Sequence, residues 1–110
     1  MSAKFQLAGQ TFMALNGGPH YRFTAAISLF VDCETQEEID RLTARLCDGG
    51  QQEPCGWVKD RFGLSWQLIP SVLGTLMHDP DPAKAGRVMK AMLGMTKLDI
   101  AGLERAHVGR

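Results

Sequence analysis

The stretch that most constrains the fold runs from Cys55 to Pro70, Cys-Gly-Trp-Val-Lys-Asp-Arg-Phe-Gly-Leu-Ser-Trp-Gln-Leu-Ile-Pro. Aromatic and β-branched residues on either side of Asp60-Arg61-Phe62-Gly63 spell two strands folded back through a tight turn. Gly63 suits a turn position of positive φ, where a side chain would clash. A period of two puts Ser65, Gln67 and Ile69 on one face, and Leu64, Trp66 and Leu68 on the other. A glutamine between large apolar neighbours must be hydrogen-bonded inside or face a cavity, because an unpaired buried amide costs about 1–3 kcal/mol.

The rest of the chain arranges itself around this hairpin. Residues 4–8 and 11–16 read as two strands joined through Gly9-Gln10, and Asn16-Gly17-Gly18-Pro19 ends the second. Residues 24–33 are apolar on both faces around Ala26–Val31, which predicts a central strand. Thr35-Gln36-Glu37-Glu38 is a capping box with Thr35 as N-cap. Ile39, Leu42 and Leu46 form the buried stripe of the helix that follows, with Glu37 and Arg41 spaced for a solvent-side pair. Gly49-Gly50 ends it with a left-handed cap. A weak polar strand over 51–55 completes strand, helix and three strands, a βαβββ unit preceded by a detached hairpin.

Beyond Pro70 the pattern turns helical. Residues 70–78 place Leu73, Leu76 and Met77 inward. Asp79-Pro80-Asp81-Pro82 opens a second helix, 83–93, with Ala85, Val88, Met89, Met92 and Leu93 at helical spacing. Thr96 with Asp99 predicts the cap of a last helix, 97–106. Its apolar stripe is Leu98, Ala101 and Leu103. The methionines fit a core or subunit-contact stripe better than a ligand groove. The chain is thus an α+β protein of one domain, 1–110, with 70–107 as a helical C-terminal extension.

A length of 110 residues supports a core without disulfide staples. Twelve basic and twelve acidic residues, in no long run of either sign, argue against nucleic acid or an anionic membrane as partner. No apolar run approaches a membrane span, and Met1-Ser2-Ala3-Lys4 lacks an apolar signal region. Cys33, Cys47 and Cys55 are odd in number and lack metal-type spacing, which predicts reduced thiols in the cytoplasm. Cys55, beside the hairpin, is either a reactive thiol or a small buried hydrophobe.

Several strings resemble one family. Met13-Ala14-Leu15-Asn16-Gly17-Gly18-Pro19, Thr35-Gln36-Glu37-Glu38-Ile39-Asp40, Cys55-Gly56-Trp57-Val58-Lys59-Asp60-Arg61-Phe62-Gly63-Leu64-Ser65-Trp66-Gln67 and Asp79-Pro80-Asp81-Pro82 are similar to the PhnB-like family. That family is also called 3-demethylubiquinone-9 3-methyltransferase-like. It is a branch of the glyoxalase/bleomycin-resistance/dioxygenase (vicinal oxygen chelate) superfamily. The resemblance covers most of the chain from Phe5 onward and implies a glyoxalase-like βαβββ module, with the first hairpin left from an incomplete first module. Members normally carry a further strand–helix–strand before the segment equivalent to Phe5. Either that piece is absent by truncation or the protein gets by without it. A half-module leaves strand edges and an apolar face unpaired, which points to a homodimer, and the superfamily commonly exchanges modules between subunits.

The resemblance also bears on metal. Metal-using relatives hold a divalent ion with His and Glu near the ends of the first and last strands of each module. Their last-strand pattern Asp-x-x-Gly-x-x-x-Glu becomes Asp60-x-x-Gly63-x-x-x-Gln67 in this chain, and the first-strand histidine position falls near Ala26. In the first hairpin the inward set is Phe12, Ala14 and Asn16. Neutral amides and alanine are poor or impossible ligands, so no metal site and no cofactor are expected. His20, His78 and His107 share no ligand spacing and read as surface residues.

No Gly-x-Ser-x-Gly elbow, Cys-x-x-Cys or phosphate loop is present. Methyl transfer would need a glycine-rich turn between strand and helix with an acidic residue beyond the next strand, and none is found. What remains is a cleft with candidate polar points Asn16, Ser28, Cys55, Trp57 and Gln67. It suits a small, partly aromatic molecule stacked on Trp57 and bonded to Gln67 or Asn16. Trp57 and Trp66 also fit plain packing, and Asp60 and Arg61 fit a turn cap or salt bridge. Two alternatives stand beside the small-molecule cleft: a non-catalytic dimeric interaction protein, and a metal-dependent lyase or dioxygenase with displaced ligands.

Overall fold

A computed structural model describes all 110 residues, Met1 to Arg110. β1 (Ser2–Leu7) and β2 (Gln10–Leu15) form a two-stranded antiparallel sheet of their own. Ala8 and Gly9 join them with φ of 50° and 80°, the pair of left-handed residues that a tight I′-type turn requires. The turn therefore sits one residue earlier than the Gly9-Gln10 expected from sequence. Phe5 and Phe12 face each other across the ladder and stack, ring centroids 5.6 Å apart.

The βαβββ unit forms as expected. β3 (Ser28–Cys33), α1 (Gln36–Leu46), β4 (Gln51–Gln52), β5 (Trp57–Lys59) and β6 (Ser65–Pro70) make a four-stranded sheet in the order β3-β6-β5-β4. β3 runs parallel to β6, and the other pairs are antiparallel. Thr35 caps α1, its Oγ1 accepting from the Glu38 amide at 3.2 Å. The Glu37–Arg41 pair does not form. Asp40 is bonded instead to Lys97 at 2.9 Å and to Gln36 at 3.0 Å.

Two strand expectations need correction. β3 is not central but lies at an open edge, paired only with β6. Its two apolar faces have different fates: Val31 and Cys33 face α1, whereas Phe30 is 61% exposed on the other side. β4 is only two residues long, because Pro54 cannot donate and Cys55 turns the chain at φ 61°.

Two cores follow from two amphipathic surfaces. Ile39 of α1 meets Cys33, Val58 and Leu68 of the sheet, with Leu42 and Leu46 at the margin. The second core is Leu73, Leu76, Val88, Leu98 and Leu103, from α2 (Ser71–Met77), α3 (Pro82–Leu93), α4 (Ile100–Val108) and the segment before α4. Met77, Met92 and Met95 pack against it, whereas Met89 and Leu93, expected in the same stripe of α3, are 39% and 62% exposed. Asp81 caps α3 through the Ala83 amide at 3.0 Å. The last helix starts later than 97, because Asp99 rather than Thr96 is its cap and accepts from the Gly102 amide at 3.2 Å.

The cores are joined by backbone. The amides of Cys55 and Gly56 donate to Met95 O and Thr96 O at 2.9 and 2.7 Å. Gln36 accepts from the Ile100 amide at 2.8 Å and donates to Leu98 O at 3.0 Å. Gly56 has φ 83°, and a Cβ there would lie 2.9 Å from Leu68 O. The first hairpin takes no part in either core, and the radius of gyration is 16.2 Å. A packed domain of this length would have about 13 Å.

Candidate functional site

Sheet register builds the site. With Val58 and Leu68 turned toward α1, the alternate residues of each strand face the other way. Trp57 of β5, Gln67 of β6 and Phe30 of β3 then form one cross-strand row. Lys59, Ser65 and Ser28 form the next. Gln67 Nε2 donates to Ser28 Oγ at 2.9 Å across the two rows. The pair leaves at least one donor and one acceptor for a third molecule, whichever way the amide is turned. Ser65 lies beside it, fully buried, and its hydroxyl has no hydrogen-bond partner. Sequence alternation placed Ser65 on this face without marking it; an unsatisfied buried hydroxyl is visible only in three dimensions.

The turn that aims these strands is held by one carboxylate. Asp60 Oδ1 accepts from the amides of Phe62 and Leu64 at 2.9 and 3.0 Å, and Oδ2 from the Trp66 indole at 2.9 Å. Arg61 donates through Nε and Nη2 to Asp48 O, both at 3.3 Å, and approaches the Asp48 carboxylate at 3.5 Å. Asp60 and Arg61 are thus a turn cap and a salt bridge.

The five candidates do not share one cleft. Ser28, Trp57 and Gln67 come together on the sheet face. Asn16 lines a separate concavity of about 910 Å³ at the root of the first hairpin. Cys55 sits in the turn docked on Met95. The split has a simple cause: strand alternation governs only residues within one sheet, and Asn16 and Cys55 lie in neither ladder.

All three cysteines are free thiols. Burial, aided by the nearby Glu38 and Asp32 charges, pushes the Cys33 thiol up to about 11, and burial also raises Cys47. Neither has the character of a thiolate nucleophile. His107, expected at the surface, is instead mostly buried on α4, with Nε2 2.8 Å from Asp79 Oδ2. His78 Nδ1 lies 2.6 Å from Gly74 O.

The cross-strand neighbours of Gln67 are uncharged. Beside Gln67 stand Ser28, Phe30, Trp57 and Ser65, and the nearest carboxylate on that face of β3 is Asp32, two residues along from Phe30. Nowhere do three His, Cys, Asp or Glu side chains gather as a metal would need.

A mixed sheet of a βαβββ unit, one face under a helix and the other presenting an amide–hydroxyl pair, defines a glyoxalase-like α+β protein. The family model for 3-demethylubiquinone-9 3-methyltransferase matches residues 1–69, and the chain belongs to that PhnB-like family. Among solved structures it is similar to a putative 3-demethylubiquinone-9 3-methyltransferase, the PhnB protein from Bacillus cereus. Identity is 38% over 64% of each chain, with a TM-score of 0.58. Protein PA1353 from Pseudomonas aeruginosa is 22% identical over 64% of this chain and 62% of its own, with a TM-score of 0.49. The chain thus spans less than two thirds of the length of either structure. No curated protein shows significant similarity to it. No helix is long and apolar enough to cross a membrane.

Proposed function

We propose that this protein binds a small, partly aromatic, neutral molecule on the sheet face of Trp57, Gln67 and Ser28, without a metal ion. The observation that carries this is the 2.9 Å Gln67–Ser28 bond on a face that no helix covers at Phe30. An amide held by a hydroxyl presents a fixed donor–acceptor pair, and Trp57 in the same row supplies a ring to stack on. A neutral ligand fits a neutral pair better than an anion would. Metal independence is supported by the donor set, in which Gln67 stands where metal-using relatives have a carboxylate. Methyl transfer, for which the B. cereus relative is named, is not part of the proposal. Glu34-Thr35 joins β3 to α1 without a glycine to admit a cofactor's charged groups.

The protein would act in the cytoplasm as a homodimer, as one domain including its C-terminal helices. The domain reading rests on the backbone bonds of Cys55 and Gly56 to the segment before α4. The dimer reading rests on the hairpin, whose Met13 and Leu15 are largely exposed. That same exposure favours a second reading, in which the dimer itself is the purpose and the face is vestigial. A thermal-shift screen of uncharged aromatic amides and lactams separates the two. Stabilisation that Gln67→Leu abolishes supports the ligand; no stabilisation by any compound, with a concentration-dependent dimer, leaves only the interaction protein. Stoichiometric metal in the purified chain would overturn the metal-free reading.

A further inference from the structure

The concavity at the root of the first hairpin has a chemistry unlike that of the sheet face. Its volume, about 910 Å³, is at the upper end of the range for small-molecule sites. Two guanidiniums, Arg22 and Arg61, and three rings, Tyr21, Phe23 and Phe62, line it together with Asn16, and no acidic residue does. The rings are 93%, 60% and 76% exposed, far beyond what isolated surface aromatics need.

Charge is one-sided among the lining residues, although Arg61 also approaches the Asp48 carboxylate at 3.5 Å, which leaves Arg22 as the unpaired cation. The first 31 residues contain Lys4 and Arg22 but no Asp or Glu. Arg22 enters none of the chain's ion pairs. Arg61 is held by Asp48 through Nε and Nη2, which orients the guanidinium and leaves Nη1 free. The amides of Gly17 and Gly18, which also line the concavity, make no backbone hydrogen bond. Planar cations beside exposed rings match a ligand that is itself planar and anionic, because guanidinium binds carboxylate as a fork and rings take the flat faces.

We infer that the hairpin root is a second binding site, one that takes an aromatic carboxylate. It is separate from the sheet-face site, so either can fail without the other.

The test is a titration of the full chain, followed by amide and indole NMR signals, with 2-naphthoate, 2-naphthamide and inorganic phosphate. Naphthoate should shift Gly17, Gly18 and Gly63 and leave the Trp57 indole unmoved. Replacing the carboxylate by the amide should weaken binding about tenfold or more, as the loss of a charge-assisted hydrogen bond does. Arg22→Gln, an exposed change that leaves both cores intact, should weaken naphthoate by a similar factor. Equal binding of naphthoate and naphthamide would overturn the proposal, as would phosphate binding as tightly as naphthoate or an unchanged Arg22→Gln. Absence of any shift at the three glycines, including absence because a second copy covers the rings, would overturn it too.

Discussion

The chain contains two strand pairs of equal length with opposite fates. β1 and β2 pair over six residues, and so do β3 and β6. The first pair is antiparallel, the intrinsically stronger arrangement, yet it carries only Leu7 and Phe12 half-buried. The second is parallel and holds Leu68 and Cys33 at the centre of a core. Ladder hydrogen bonds contribute only about 0.5–1.5 kcal/mol net each, since water offers the same bonds to the open chain. What distinguishes the pairs is the layer beneath. α1 lies under β6, and nothing lies under the hairpin.

The contrast can be broken by substitution. Leu68→Ala should lower unfolding free energy by about 3–5 kcal/mol in denaturant titration, because it empties the meeting point of α1 and the sheet. Gly56→Ala should follow at on the order of 3 kcal/mol, since a Cβ at φ 83° would press on Leu68 O and Leu98. Asp60→Ala removes three acceptor contacts and should cost about 1–3 kcal/mol, with the Trp66 indole signal shifting first. Phe12→Ser in the hairpin should change the midpoint of the module's unfolding by less than about 0.5 kcal/mol while weakening self-association measured by ultracentrifugation. A large loss of stability there would mean that the hairpin belongs to a core after all.

The smallest effect concerns the clasp between the α2–α3 turn and α4. The Asp81 amide and then His107 hold the Asp79 carboxyl below its ordinary 3.8. A depressed carboxylate contributes stability that is complete above the unfolded value and is lost as pH falls through the lower folded one. Thermal melts between neutrality and strongly acidic pH should show that loss, and Asp79→Asn should flatten it. An unchanged acid limb in Asp79→Asn would remove the clasp from the account.

What could be read in advance was local. The Thr35 cap, the Gly63 turn, the Asp81-Pro82 start of α3 and the alternation of β6 each depend on residues within about four positions of one another. The errors are of two kinds. Calling 24–33 central and His107 a surface residue required knowing what packs from far along the chain, whereas the Gly9-Gln10 turn and the Thr96 cap missed by one and three residues within a local motif. Of the two forms expected for the Gln67 amide, the structure shows the hydrogen-bonded one, to a serine 39 positions away. Asn16 and Cys55 belong with it only as polar points of one expected cleft, and no ladder joins them to that face.

By itself the sequence determined the kind and order of the strands and helices and some of their caps, Thr35 and Asp81 among them, because those choices are settled by backbone geometry and nearest neighbours. Only the tertiary structure decided that β3 is an edge, that the first hairpin stands apart, and that the candidate residues divide between two surfaces. Those outcomes depend on which apolar faces find a partner, and burial is a property of the whole assembly of elements rather than of any one of them.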